Sequence, residues 1–107
     1  MALIIDDNLA ADGRVSARVY NKRKGSEDFY SCFLDGDFGG GTATVQVSLD
    51  GTNWVDYQNE AGNTVSFTAD GFRNILLNSD SASPVYLGFN LSGATSPDID
   101  IKVFNKA

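Results

Sequence analysis

The sequence predicts an all-β fold, namely an antiparallel β-sandwich of Ig-like or jelly-roll-like type with about eight short strands. Three observations lead to this prediction. Apolar and polar residues alternate with a period of two along much of the 107-residue chain. No segment places apolar residues at the helical spacing i, i+3, i+4 and i+7. Turn-forming residues separate the alternating segments at short intervals, as in sandwiches and small barrels.

The alternating segments define the strands in order. They cover residues 15–20, 29–34, 44–49, 65–69, 85–92 and 99–104, with shorter apolar runs at 54–57 and 75–77. Residues 29–34 are apolar on both sides, which predicts a strand that is covered on both faces or lies in an interface. The inward side chains are medium to large and suit a two-layer core about 10 Å thick, so a sandwich is preferred over a small barrel.

The stretch from Thr42 to Gln58 predicts a β-hairpin. Asp50-Gly51 is a strong signal for its turn, because glycine accepts a positive φ and aspartate tolerates tight turns. The loop is either Asp50-Gly51 alone or the four residues from Asp50 to Asn53. In both cases the Asp50 carboxylate is expected to accept hydrogen bonds from backbone N–H groups of the turn.

Trp54 is expected to be a structural residue of this hairpin. Both loop lengths change the register by an even number, so Trp54 falls on the same face as Leu49. Trp54 is then predicted to pack over Leu49 and Val47 in the core. Leu49, Asp50, Gly51 and Trp54 are therefore interpreted together as a structural unit.

The chain is predicted to fold as one sandwich domain, residues 14–107, preceded by an N-terminal arm, residues 1–13. The arm shows no clear period, and terminal segments are often loose unless they dock on another surface. It lacks the basic region of a secretory signal, and no apolar run reaches the length of a membrane-spanning helix. A single cysteine, Cys32, points to a reducing cytoplasm as the place of folding.

The net charge of −6 argues against two classes of partner. An acidic protein repels phosphate backbones and anionic lipid surfaces, so neither nucleic acid nor a membrane is expected as a partner. The basic cluster at residues 22–24 is followed at once by acidic residues, and we interpret it as a solvated turn.

The sequence offers no catalytic or metal-binding constellation. Histidine is absent, which removes the commonest general base and the commonest zinc ligand. Cys32 therefore has no imidazole partner and is interpreted as a small core residue. Aspartates at positions 6, 7 and 12 lack EF-hand spacing, and residues 39–41 lack the lysine of a phosphate loop. We expect no enzyme activity, no cofactor and no metal site.

Aromatic residues are the remaining candidates for a binding surface. Tyr57 and Tyr86 fall opposite the apolar rows of their strands, and the two-sided strand adds Phe29, Tyr30 and Phe33. Such rings stack on sugars or form the apolar centre of an interface. These five residues are the predicted interface.

A strand ends in residues 35–38, three glycines lead into the 42–58 hairpin, and a phenylalanine-bearing strand follows at 65–69. This order of strands and turns, between Phe29 and Val103, resembles the order found in small β-sandwich virion proteins of tailed bacteriophages. Where the family pattern favours Tyr-Arg before the last strands, this chain has Phe72-Arg73.

The resemblance implies a structural virion protein, in particular a capsid decoration (cement) protein that stabilises the head. Its partners are then the major capsid protein or another virion protein, together with copies of itself in a dimer or trimer. The resemblance also implies that the protein is located in the virion, after assembly in the host cytoplasm. The alternative is a carbohydrate-binding module or a tail or fibre adhesin component, which Trp54 and the outward tyrosines favour.

Overall fold

The computed structural model describes residues 2–19, 27–59, 61–78 and 85–105. Within these ranges the chain forms nine β-strands packed as a sandwich, which confirms the predicted all-β antiparallel fold. The strands are β1 (Ala2–Leu9), β2 (Gly13–Val19), β3 (Glu27–Asp37), β4 (Thr42–Ser48), β5 (Val55–Asp56), β6 (Ser66–Phe67), β7 (Gly71–Asn78), β8 (Val85–Ser92) and β9 (Asp98–Asn105). The basic cluster at residues 22–24 lies outside the described residues.

Two antiparallel sheets form the layers. The four-stranded sheet has the order β1-β9-β3-β7, and the five-stranded sheet has the order β2-β8-β4-β5, with β6 paired to β4. Most connections cross from one sheet to the other, whereas β4 and β5 pair directly as a hairpin. The described part of the chain includes no helix that is long and apolar enough to span a membrane.

Strand β1 corrects the expectation of an N-terminal arm over residues 1–13. It pairs antiparallel with β9 from Ala2 to Leu9, with a register shift between Leu3 and Ile5. The side chains of Ile5 and Leu9 are buried in the core. Their burial and the ladder hydrogen bonds to β9 stabilise the segment as an edge strand of the four-stranded sheet.

The core lies between the inward faces of the two sheets. Its fully buried side chains come from both layers and include Tyr30, Leu34, Val45, Ile75, Leu87, Phe89, Leu91, Ile99, Ile101 and Val103. The rings of Phe89 and Phe67 are in contact, with centroids 6.3 Å apart. Cys32 is also buried, and burial raises the pKa of its thiol to about 12, so the thiol stays protonated at neutral pH.

The predicted interface residues of strand β3 do not share one face of the strand. Tyr30 is fully buried, so it is not available to a partner, which corrects its assignment to the predicted interface. The reason is the alternation along a strand, which places Tyr30 on the same inward side as Cys32 and Leu34. Phe33 points the other way and is 46% exposed. The side chain of Phe29 lies outside the described part of the structure.

Candidate functional site

The outer face of the five-stranded sheet carries polar and aromatic side chains. Strand register places Arg14 and Arg18 on β2 next to β8, where Arg18 pairs with Tyr86. On the other side of β8, Gln46 of β4 pairs with Gly88. Because side chains alternate along a strand, Val15 and Ala17 of β2 and Leu87 of β8 point the other way, toward the core. The same strands therefore contribute inward side chains to the core and outward side chains to this face.

Trp54 reaches the same outer face, which corrects the predicted register. Val47 pairs with Val55 across the hairpin, so Trp54 lies opposite Ser48 and not opposite Leu49. The observed register differs by one residue from the register that either predicted loop length gives. A one-residue change moves a side chain to the other face of the sheet. Leu49 is 79% exposed instead of lying beneath the indole.

Two glycines leave room for the aromatic rings. At Gly88 an added Cβ would lie 3.2 Å from Cζ3 of Trp54 and 2.9 Å from the carbonyl oxygen of Val15, so a side chain here would push the indole away from β8. At Gly51 the backbone φ is +79°, and a Cβ would lie 3.2 Å from the Tyr86 ring. The indole therefore lies against the backbone of β8, and the Tyr86 ring lies against the hairpin loop.

Trp54 and Tyr86 form an aromatic pair with an arginine over each ring. Their ring centroids are 6.4 Å apart at an interplanar angle of 70°, an edge-to-face arrangement. The guanidinium carbon of Arg14 lies 4.7 Å from the Trp54 ring centroid, and that of Arg18 lies 5.6 Å from the Tyr86 centroid. Both distances allow cation–π attraction. We call Arg14, Arg18, Gln46, Trp54, Asp56 and Tyr86 the Trp54 face.

Hydrogen bonds cross the Trp54 face from strand to strand. Nε and Nη2 of Arg14 donate to Oε1 of Gln46 over 3.2 and 2.9 Å. Nε2 of Gln46 in turn donates to Oδ1 of Asp56 over 3.0 Å. Arg14 spans β8 to reach Gln46, so the Trp54 ring and the Gln46 amide both hold its guanidinium in place. The result is a set of hydrogen-bond donors and acceptors next to the aromatic pair.

Asp50 holds the loop that flanks Tyr86. Its Oδ1 accepts hydrogen bonds from the backbone N–H groups of Asn53 and Thr52, each over 2.8 Å. Nδ2 of Asn53 donates to Oδ2, and the Ser48 hydroxyl donates to Oδ1 over 3.0 Å. These hydrogen bonds, with the backbone N–H groups of Asn53 and Thr52 contributing most, hold the pKa of Asp50 well below its usual range.

Replacing Asp50 by asparagine is expected to destabilise the fold in a pH-dependent way. The pKa of Asp50 is lower in the folded chain than the value of about 3.9 for an unperturbed aspartate, so its charge stabilises the folded state above about pH 4. That contribution is lost as the pH falls through the lowered pKa. Urea unfolding of the wild type and Asp50→Asn should differ more at neutral pH than in acid. Asp6→Asn, at an exposed position, is the control, and a pH-independent difference contradicts the prediction.

The outer face of the four-stranded sheet carries a second aromatic cluster. Phe33 and Phe72 pair across β3 and β7 with ring centroids 4.7 Å apart, and Phe104 meets Phe33 edge-on at 6.4 Å. Phe72 is 49% exposed, and Leu3, which pairs with Phe104, is 48% exposed. We call Leu3, Phe33, Phe72 and Phe104 the Phe33 face.

Carboxylates border one end of the Phe33 face. Asp35, Asp70, Asp100 and Lys102 line an open depression of about 740 Å³ together with the aromatic rings. A hydrogen bond with Asp70 raises the pKa of Asp35, and the negative charges of Asp70 and Asp100 add to this effect. Among the described residues, no group of three or more cysteine, aspartate and glutamate side chains is arranged to hold a metal ion.

The structure separates the remaining predicted interface residues. Tyr86 lies on the Trp54 face, while Phe33 lies on the opposite outer face of the sandwich. Tyr57 is not on an outward row, because it packs half-buried against the core. Its backbone N–H donates to the carbonyl oxygen of Val45 over 2.9 Å, which holds it next to β4.

Sequence reasoning missed Arg14, Gln46 and Asp56 as residues of a common site. The alternation in β2 indicates that Arg14 points away from Val15, but no local signal tells which strand lies beside it. Arg14 and Gln46 are 32 positions apart in the chain. They meet because β8 pairs with β2 on one side and with β4 on the other.

Comparison with known proteins finds similarity in fold. No protein-family model matches the chain, and no curated protein sequence matches it. A family 16 carbohydrate-binding module superposes with a TM-score of 0.56 at 11% identity, covering 95% of this chain and 76% of that one. A family 61 carbohydrate-binding module in complex with β-1,4-galactotriose gives a TM-score of 0.52 at 14% identity, covering 94% and 70%. The chain therefore has the β-sandwich fold of carbohydrate-binding modules.

Proposed function

We propose that this protein is a non-catalytic module that binds a polysaccharide chain across the Trp54 face. The observation that carries the proposal is the aromatic pair of Trp54 and Tyr86 on the outer surface of the sheet, beside the polar groups of Arg14 and Gln46. The apolar faces of sugar rings pack on aromatic rings, while their hydroxyl groups need hydrogen-bond partners around the rings.

The geometry of the Trp54 face suits both needs. Trp54 is half-buried against β8, so part of the indole remains accessible. The surrounding side chains supply both kinds of hydrogen-bonding group, since guanidinium donates, carboxylate accepts and a side-chain amide does both. These groups stand largely on paired strands, so they are in position before a ligand arrives, which lowers the entropic cost of binding.

The similar structures support the class of ligand. Both are carbohydrate-binding modules by name, and one was solved with β-1,4-galactotriose. A binding function without catalysis is also consistent with a sequence that contains no histidine. A tail or fibre adhesin component would also bind glycans, so the proposal covers that alternative too.

Titration with soluble polysaccharides tests this proposal. The chain contains one tryptophan, so intrinsic tryptophan fluorescence reports directly on Trp54. With a panel of β-1,4-galactan, xylan, a soluble cellulose derivative and carboxylated polymers, at least one polymer should change this fluorescence and retard the chain in affinity electrophoresis. A chain that is folded by circular dichroism and binds none of them contradicts the proposal.

The Phe33 face favours a second candidate function, a structural protein of a tailed-bacteriophage virion. Three of its side chains, Leu3, Phe33 and Phe72, are about half exposed, and contiguous exposed apolar surface often marks a site of protein contact. A capsid decoration protein needs such a surface to contact the major capsid protein or to form a dimer or trimer. The two outer faces lie on opposite sides of the sandwich, so glycan binding and assembly are compatible.

The double variant Phe33→Ser/Phe72→Ser tests the second candidate. Light scattering should give a dimeric or trimeric mass for the wild type and a monomeric mass for the double variant, because the substitutions remove apolar contact surface. Trp54→Ala, on the opposite outer face, should leave the native mass unchanged. A wild-type chain that is monomeric at every concentration contradicts self-association through the Phe33 face.

A further inference from the structure

We propose that the ligand of the Trp54 face is an anionic polysaccharide, and that the Arg14 guanidinium binds its carboxylate groups. The inference rests on the proposed function, because it names the ligand class of the same face. Three properties of Arg14 carry it: its position, its restraint by neighbouring side chains and its unused hydrogen-bond donors.

Arg14 places a positive charge within the Trp54 face. Its backbone belongs to β2, and its side chain crosses β8 to contact both the Trp54 ring, at 4.7 Å, and Gln46 on β4. A sugar ring that packs on the exposed part of the aromatic pair therefore has the guanidinium within reach of its substituents. In a uronic acid the carboxylate projects from the edge of the ring, where the guanidinium over the indole can contact it.

Neighbouring side chains restrain Arg14 before any ligand binds. Two of its N–H groups donate to Gln46, and Gln46 is restrained in turn by Asp56. A guanidinium has five N–H donors, so three remain without a partner among the described residues. The planar guanidinium matches the geometry of a carboxylate, and its restraint reduces the entropy lost on binding.

The Trp54 face places two positive charges at the aromatic rings of an acidic protein. The chain carries a net charge of −6, whereas this face has two arginines, Arg14 and Arg18, against one carboxylate, Asp56. Asp50, on the flanking loop, adds a second negative charge, which its hydrogen bonds within the turn stabilise and do not neutralise. A carboxylated polymer therefore gains an electrostatic contact with Arg14 on this face, whereas a neutral polymer gains none.

Pairs of polymers that differ only in carrying a carboxylate or a primary alcohol test the inference. The probes are polygalacturonate, alginate and hyaluronate, each compared with the same polymer after its carboxylates have been reduced to primary alcohols. Calorimetry and Trp54 fluorescence measure the dissociation constants at low salt and at about 0.5 M salt, where exposed charges are screened.

The wild type should bind at least one carboxylated polymer about tenfold more tightly than its reduced counterpart, since charge-assisted hydrogen bonds contribute an effect of this order. Added salt should reduce the difference. Arg14→Gln should abolish it, and Arg14→Lys should keep part of it, because lysine retains the charge without the planar fork. Arg73→Gln on β7 is the matched control, since it removes the same charge from an exposed position in the other sheet.

The outcomes distinguish this inference from the proposed function. Equal affinity for charged and reduced polymers, still lost in Trp54→Ala, overturns the inference and leaves the proposed function standing. A carboxylate preference that survives Arg14→Gln overturns the role of Arg14. Failure of the folded chain to bind any charged, reduced or neutral polymer overturns both.

Discussion

Trp54→Ala is expected to weaken polysaccharide binding about 30-fold or more. Aromatic residues at the centre of a binding surface are typical hot spots, and truncation of one costs about 2 kcal/mol or more, which corresponds to a factor of about 30 in Kd. Trp54 has such a position, because Tyr86 and Arg14 contact its indole. Calorimetry with the tightest-binding polymer measures the effect, since the variant has lost its fluorescent reporter.

Phe72→Ala is the matched control for this substitution. It removes an aromatic ring from an exposed position on the opposite outer face, so the dissociation constant should stay within about twofold of the wild type. Trp54→Phe should keep part of the affinity, because a smaller ring still offers a stacking surface. An unchanged affinity in a folded Trp54→Ala variant would show that the polymer binds elsewhere.

Phe89→Ala is expected to lower the free energy of unfolding by about 3–5 kcal/mol. Phe89 is fully buried between the sheets and packs against Phe67, so truncation leaves a cavity that the surrounding strands fill only in part. For a domain of about this size, each kcal/mol lowers Tm by about 4–8 °C, and the expected fall is on the order of 15 °C or more. Urea unfolding and thermal unfolding, both followed by circular dichroism, measure the two quantities.

Phe33→Ala provides the comparison, because it removes the same ring from a position that is 46% exposed. Its cost should be about 1 kcal/mol, since a half-exposed ring loses less on truncation than a buried one. A cost as large as that of Phe89→Ala contradicts the assignment of Phe33 to the free surface. Repeating the measurement at lower protein concentration would then reveal whether self-association buries this ring.

Much of the sandwich could be predicted from alternation, because the side on which a side chain lies is a local property of a strand. In β2, Val15 and Ala17 alternate with Ser16 and Arg18, and the structure places the first pair toward the core and the second outward. The sequence pattern does not reveal β1, because residues 6–8 are polar and show no alternation. Its place in the sheet depends on β9, which is nearly the whole chain length away.

The candidate site was less predictable, because it is assembled across strands. The hairpin pattern singles out Trp54 but predicts the wrong side for it, because the observed hairpin register differs by one residue from the predicted one. The turn itself is predictable from the sequence, since Asp50 accepts hydrogen bonds from residues close to it in the chain. Arg14 carries no local signal of function, and its role depends on contacts with Trp54 and Gln46.

By itself, the sequence determined the all-β class, the turn at Asp50 and the lack of any histidine-based chemistry. These properties depend on residue types and on neighbours along the chain. The tertiary structure alone decided that Trp54 lies outward beside Arg14 and that Tyr30 is buried in the core. The physical reason is that strand register and strand order are set by contacts between distant segments, and a register change of one residue moves a side chain from one face of a sheet to the other.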